Sequence, residues 1–281
     1  MRRVLFIALF ALIFLAGLTL LLYPTLSDHA NSLRHEQAVE QYFEAVVNLS
    51  EHDNSQMFEE AQRYNEGLRR NPNRFIMSGE EDAQYRGLLD PTGTGIIGTL
   101  EIEVIDVHLP IYHGTDEGVL QIGLGHLEGS SLPAGGPGTH TVITGHRGLP
   151  SSTLLTNLDR MAIGDIFNIH VLGETLTYRV DQMVIVLPHE FEELYIDPDA
   201  DYCTLVTCTP YGINTHRLLV RGRRVNDNGE ELTDIRISIP SSARVLTGAR
   251  AALLLIIPAS AAIAIILLLR LRRIYGRGNI Q

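Results

Sequence analysis

The chain has 281 residues, enough for one ordinary domain with additional segments, and its 33 acidic and 22 basic residues give a formal net charge of −11. This acidic balance argues against a nucleic-acid-binding protein, which needs a basic surface to neutralise phosphates. The charges are also unevenly distributed, because residues 1–23 and 251–281 contain no acidic residue. The acidic surface therefore belongs to the centre of the chain.

Two apolar runs, Val4–Leu22 and Ala251–Leu269, lie near the ends of the chain. Each is long enough to cross a hydrocarbon core of about 30 Å as a helix. For the first run a cleaved signal peptide is the alternative, but we favour an anchor because the apolar region of such peptides is usually only about 7–15 residues long. Arg2 and Arg3 precede the first run, and the Arg270–Arg277 cluster follows the second. The positive-inside rule then predicts that both termini are cytoplasmic and the centre is extracellular.

The region 28–70 is predicted to be helical and to brace the rest of the domain. Asn54 or Ser55 is the expected N-cap of its second helix. The prediction rests on apolar residues that recur at three- and four-residue spacing, namely Val39, Phe43, Val46 and Val47, then Phe58, Ala61, Tyr64 and Leu68.

The segment Asn71–Thr94 is polar and rich in turn formers, which predicts a loop or linker. After it, short runs rich in β-branched residues alternate with Gly- and Pro-containing loops, a pattern typical of a sandwich or barrel. A short helix is expected at Pro150–Met161. The predicted strands are Ile96–Ile105, Leu109–Tyr112, His140–Gly145, Asp165–Val171, Thr175–Leu187, Cys203–Cys208 and His216–Arg224.

The only two cysteines, Cys203 and Cys208, lie in one predicted strand. Five residues of strand span about 16 Å, whereas a disulfide requires Cα atoms within about 7 Å. Their odd separation also points the two side chains to opposite faces. We therefore expect Cys203 to be a core residue and Cys208 to be a free thiol.

A turn-rich loop separates the strand that ends at Cys208 from the strand that contains Arg217. A hairpin would bring the thiol and the guanidinium to the same end of a sheet. A nearby cation raises the thiolate fraction of a cysteine, and guanidinium donors can hold a carbonyl or an oxyanion. Taken alone, the pattern also fits a structural cysteine beside a surface arginine.

Three motifs resemble the signature of the sortases: TLVTC at 204–208, THR at 215–217 and TVITGHRGLP at 141–150. The family's nucleophilic Cys, essential Arg and catalytic His fall here at Cys208, Arg217 and His146. The longer string TPYGINTHRLLVRG at 209–222 is more similar to the pilus-assembling class C sortases than to the housekeeping type. The resemblance covers about residues 97–224.

This resemblance implies that the predicted strands form a closed eight-stranded barrel. With the helical region and the two apolar runs, the expected fold is mainly β, with N-terminal helices and two flanking transmembrane helices. The resemblance also implies a membrane-anchored cysteine transpeptidase of a Gram-positive cell, which cleaves LPXTG-like sorting signals between Thr and Gly through a thioester and joins pilin subunits to a Lys. Cys208 would attack, Arg217 would steady the oxyanion and His146 would act as general acid. The implied partners are pilin or surface-protein substrates and the membrane, with no cofactor and no metal.

Three alternatives remain open. A housekeeping sortase would attach surface proteins to the cell-wall precursor, and a cysteine peptidase would hydrolyse the thioester. An inactive barrel would bind sorting signals without cutting them, but the combination of His146, Cys208 and Arg217 argues against it.

Class C sortases often carry a lid before the barrel, with an Asp-Pro-aromatic motif that plugs the catalytic groove. Asn71–Thr94 departs from this motif, because Asn71-Pro72 has no acid or adjacent aromatic residue and Asp90-Pro91 is followed by Thr92. We expect the segment to cross near the groove and to latch weakly, with Phe75 and Tyr85 as its only aromatic residues.

The expected organisation is an N-terminal anchor or signal at 1–23, a helical region with a possible lid loop at 24–94, the catalytic barrel at 95–226, a linker at 227–250, a second membrane helix at 251–269 and a basic cytoplasmic tail at 270–281.

Overall fold

The computed structural model describes residues 2–225. The expected second membrane helix at 251–269, with the linker and tail on either side of it, lies outside the described residues. Within the described range, one helix, α1 (Arg2–Asn48), is long and apolar enough to cross a membrane by its length and composition. It includes Pro24 and the first apolar run.

Helix α2 (Glu51–Leu68) begins after Ser50, whose Oγ accepts a hydrogen bond from the Asp53 amide at 3.1 Å. The expected N-caps Asn54 and Ser55 are wrong, because both residues lie inside the helix. Asn54 instead donates through Nδ2 to the Leu172 carbonyl at 2.8 Å, which attaches α2 to the β domain. Asparagine is a common N-cap residue, but here Asn54 lies inside the helix and makes a tertiary contact instead.

The segment predicted as a loop at 71–94 contains a third helix, α3 (Gly79–Arg86). Ser78 and Glu81 form a capping box, in which Ser78 Oγ accepts from the Glu81 amide and Glu81 Oε2 accepts from the Ser78 amide at 2.7 Å. The helix is held because Tyr85 is fully buried. The S-x-x-E spacing was the available signal for this helix.

Eight strands close into a barrel in the order β1-β2-β3-β4-β7-β8-β6-β5. The predicted mainly β, eight-stranded barrel with N-terminal helices is confirmed. A short helix, α4 (Glu117–Ile122), lies between β2 and β3. The strands are β1 (Ile96–Ile102), β2 (Val107–His113), β3 (Leu124–His126), β4 (Thr139–Thr144), β5 (Ile166–Val171), β6 (Glu174–Val186), β7 (Asp201–Thr209) and β8 (His216–Arg224).

Two sequence expectations fail around the barrel. Strand β3 was missed because three residues are too few to show an alternating pattern. The helix expected at Pro150–Met161 is wrong, since this stretch consists of turns and a single 3₁₀ segment at Leu158–Arg160. Leu154, Leu155 and Leu158 of this stretch are buried, so its apolar residues anchor a loop rather than one face of a helix.

The side chains of β7 and β8 alternate between two apolar clusters. Cys203, Leu205, Leu218 and Val220 belong to the main core. Leu219, together with Val142 and Leu194, forms a smaller buried cluster against which Val206 packs. Because alternate residues of a strand face opposite sides of a sheet, this smaller cluster lies on the outer face of the barrel wall.

Candidate active site

Cys208 and Arg217 lie directly opposite each other on the antiparallel strands β7 and β8. Directly opposed residues share one face of a sheet, with Cβ atoms about 4.5–5.5 Å apart. Cys208 is two residues from Val206, and Arg217 is two residues from Leu219, so both side chains are on the outer face that carries the smaller apolar cluster. The expected hairpin therefore brings the thiol and the guanidinium together.

His146 follows β4, which is the other neighbour of β7 and runs parallel to it. Thr144 is paired with Val206, and the Gly145 amide donates to the Val206 carbonyl at 3.1 Å. If this register continues for two residues, His146 lies level with Cys208. The barrel therefore places His146 on one side of the Cys208 strand and Arg217 on the other.

Gly145 sets the path of the chain immediately before His146. A Cβ atom at this position would lie 2.6 Å from Leu124 Cδ2 and 2.9 Å from Leu155 Cγ, so a larger residue would displace these buried side chains or the strand itself. Thr207 Oγ1 also donates to the Gly145 carbonyl at 2.8 Å. Beyond it, the His146 carbonyl accepts from the Leu155 amide at 3.2 Å. The backbone of His146 is thus held from both β7 and the following loop.

Arg217 and Arg221, two of the three arginines that β8 carries on this face, differ in their partners. Arg221 makes two 3.0 Å hydrogen bonds to the Asp181 carboxylate and stacks on Tyr202, with its Cζ 4.2 Å from the ring centre. Arg217 contacts only backbone carbonyls among the described residues, donating to His216 at 3.1 Å and to Asn214 at 3.3 Å. Of these two arginines, Arg217 therefore keeps donors for a ligand, and it is the one directly opposite Cys208.

Arg147 ties the residue after Cys208 to the loop that follows His146. It donates through Nη1 to Thr209 Oγ1 at 3.4 Å and through Nη2 to the Asp159 carboxylate, while its guanidinium lies 5.9 Å from the Tyr211 ring centre. Its side chain is only 9% exposed. We did not single out Arg147 from the sequence, although it is adjacent to His146 in the G-H-R motif.

The β6–β7 connection is fastened to the barrel next to the smaller apolar cluster. His140 on β4 donates through Nδ1 to the Tyr195 carbonyl at 2.9 Å, and its Nε2 accepts from Thr204 Oγ1 at 2.7 Å. Burial lowers the pKa of His140 to about 4, so the ring is neutral near pH 7 and can act as both donor and acceptor. This histidine therefore has a structural role.

The possible lid segment contacts the same connection. Arg74 is buried, donates to the Leu194 carbonyl at 2.8 Å and lies over the Phe75 ring, which in turn is 5.8 Å from the Phe191 ring. Phe75 is thus the aromatic residue of the segment that lies near the outer-face cluster.

Tyr85, the other aromatic residue of the segment, is not a candidate plug, because it is fully buried. Its hydroxyl is 2.8 Å from His126 Nδ1 and accepts from the Gly114 amide at 3.0 Å. Burial lowers the pKa of His126 to about 4, so this network is neutral and serves to fasten α3 to the barrel.

The two cysteines differ as expected. Both are free, and Cys203 is fully buried while Cys208 is partly exposed. Burial raises the pKa of the Cys203 thiol well above its ordinary value, which keeps it protonated and unreactive.

The described part of the chain contains no candidate metal centre, and it contains a cavity that is separate from the Cys208 site. No group of three or more His, Cys, Asp or Glu residues with suitable geometry for a metal occurs there. A cavity of about 600 Å³ lies between α2, α3 and the intervening segment, lined by residues such as Tyr64, Arg74 and Leu88. None of its lining residues belongs to β4, β7 or β8, so it is not the groove that contains Cys208.

A family model described as "Sortase domain" matches residues 100–225, which include His146 and the Cys208–Arg217 hairpin. The chain therefore belongs to the sortases, a family of cysteine transpeptidases, and it is an enzyme. The similar solved structures described next place it with the class C members.

Sortase C1 of Streptococcus agalactiae is 45% identical, with a TM-score of 0.66, and the match covers 68% of this chain and 100% of that structure. Sortase C of Streptococcus pneumoniae, for which pilin substrate specificity has been described, is 43% identical, with a TM-score of 0.61 and coverage of 68% and 97%. Sortase D of Bacillus subtilis is 29% identical over 157 residues, which make up 52% of this chain and 72% of the relative.

Proposed function

We propose that this enzyme cleaves LPXTG-like sorting signals between Thr and Gly and transfers the new carboxyl end to a Lys side chain of a pilin subunit. The observation that carries the proposal is the register of the barrel, which sets Cys208 opposite Arg217 and pairs Thr144, two residues before His146, with Val206, two residues before Cys208. The similarity to class C sortases supports the choice of pilins as substrates.

In the first half of the reaction, the Cys208 thiolate attacks the Thr carbonyl. The Arg217 guanidinium, which has no carboxylate partner in the described structure, donates to the oxyanion of the tetrahedral intermediate. His146 protonates the Gly nitrogen as the C–N bond breaks. The products are a thioester on Cys208 and a released peptide with a free amine.

In the second half, a Lys ε-amine attacks the thioester carbonyl and His146 accepts its proton. The C–S bond breaks, the Cys208 thiolate returns and an isopeptide bond remains. This chemistry consumes no oxidant or reductant and requires no cofactor. The partly buried apolar residues that pack against the smaller cluster, among them Val186 and Val206, offer a contact surface for the apolar residues of a sorting signal.

The proposed location is the cell membrane, with the barrel outside the cell. The apolar run in α1 supports an N-terminal anchor. The second span at 251–269 and the two-pass topology are carried by the sequence pattern and the flanking arginines.

The test is to incubate the full chain with an LPXTG peptide and a Lys-bearing pilin and to identify the products by mass spectrometry. An isopeptide-linked product that disappears in Cys208→Ala and persists in Cys203→Ala supports the proposal. Transfer only to a cell-wall precursor amine would identify a housekeeping sortase, and release of free acid alone in the presence of pilin would identify a peptidase.

A further inference from the structure

One carboxylate lies beside His146. Glu117 Oε1, at the start of α4, is 3.6 Å from His146 Nε2. The Nε2 atom is buried, and it has no hydrogen-bond partner among the described residues. Glu117 is therefore the group that this nitrogen faces. The side chain of Glu117 is 73% exposed.

The segment that carries Glu117 is held in place from both sides. The Leu120 amide donates to the Asp116 carbonyl at 3.0 Å within α4, and Gln121 Nε2 donates to Glu117 Oε1 at 2.6 Å. Immediately before the helix, Thr115 Oγ1 donates to Glu128 Oε2 at 3.1 Å. The carboxylate thus has a fixed backbone and a side-chain partner that directs Oε1.

We propose that Glu117 is a positioning residue for His146, whose imidazole ring it orients. The inference rests on the proposed function, in which His146 carries a proton in each half of the reaction. With Nε2 buried against Glu117, Nδ1 is the ring atom left to exchange protons with the substrate. The Glu117 carboxylate, 3.6 Å from Nε2, thereby sets the orientation of the ring. Glu117 itself stays ionised, since the hydrogen bond from Gln121 and then the charge of His146 lower its pKa.

The experiment measures single-turnover formation of the thioester by the full chain with an LPXTG peptide and no amine, followed by intact-protein mass spectrometry. In Glu117→Gln, we expect the maximal acylation rate to fall about tenfold, which is a minor part of the ~10²–10⁴-fold that general acid–base catalysis contributes. The peptide concentration that gives half-saturation should change less than about twofold. Asp116→Asn is the matched control, because Asp116 is similarly exposed on the same segment but contacts Arg86 at 3.3 Å. It should acylate at nearly the wild-type rate.

The same measurement in a His146→Ala background separates a positioning role from a structural one. There, Glu117→Gln should cause no further loss, because the group through which it acts is gone. A further tenfold loss would contradict the proposal, as would normal acylation by Glu117→Gln alone. Normal acylation followed by slow transfer to an amine would instead make Glu117 a binding group for the acceptor. Failure of the wild-type chain to form a thioester would refute the proposed function, and this inference with it.

Discussion

Replacing each cysteine by alanine in turn should separate stability from activity. Cys203 is fully buried in the main core, next to Leu205 on β7, whereas Cys208 is partly exposed on the opposite face of the same strand. The two substitutions remove the same atoms from the same strand. Any difference between them therefore reports on the two environments.

The expected loss in the free energy of unfolding follows from how deeply each cysteine is buried. Removing one buried sulfur leaves a cavity smaller than that of a Leu→Ala change, so Cys203→Ala should lower the free energy of unfolding by about 1 kcal/mol. For a domain of this size, that corresponds to a fall in Tm of about 2–4 °C. Cys208→Ala should change the free energy of unfolding by less than about 0.5 kcal/mol and abolish thioester formation.

The assay combines thermal unfolding with intact-protein mass spectrometry after incubation with an LPXTG peptide. Cys203→Ala should melt earlier but form the thioester at a rate close to wild type, and Cys208→Ala should do the opposite. An inactive Cys203→Ala together with an active Cys208→Ala would refute the assignment of the nucleophile. Equal losses of stability would refute the assignment of the two faces.

Two further predictions rest on the geometry of the site, and a third rests on the charge pattern of the sequence. Arg217→Lys should lose most activity, because a mobile ammonium does not replace a planar fork of donors, whereas the exposed Arg223→Lys should not; near-normal turnover in the first variant would leave Arg217 with a charge role only. Phe75→Ala should accelerate alkylation of Cys208 only several-fold, on the scale of one ring pair of about 0.5–1.5 kcal/mol with Phe191; a thousandfold increase, about 4 kcal/mol, would indicate a tight plug. Protease treatment of intact cells should digest the centre of the chain and spare tags at both termini, and loss of the C-terminal tag would overturn the two-span topology.

The sequence by itself determined the class of the fold and the residues of the candidate site. The alternation of side chains along β7 and β8 places Cys203 and Cys208 on opposite faces, and the motifs around His146, Cys208 and Arg217 identify the family. These features are visible in the sequence because they depend on local periodicity and on short, contiguous motifs.

Only the tertiary structure decided which groups surround those residues. Strand β3 is too short to carry a pattern, and the apolar residues at 154–158 resemble a helix until the barrel buries them as a loop. The sequence does not show which of Arg217 and Arg221 has a carboxylate partner; in the structure Asp181, forty positions away, binds Arg221. Glu117 meets His146 because β3 and β4 bring α4 and the end of β4 together. Contacts between distant segments depend on strand order and register, which no local pattern encodes.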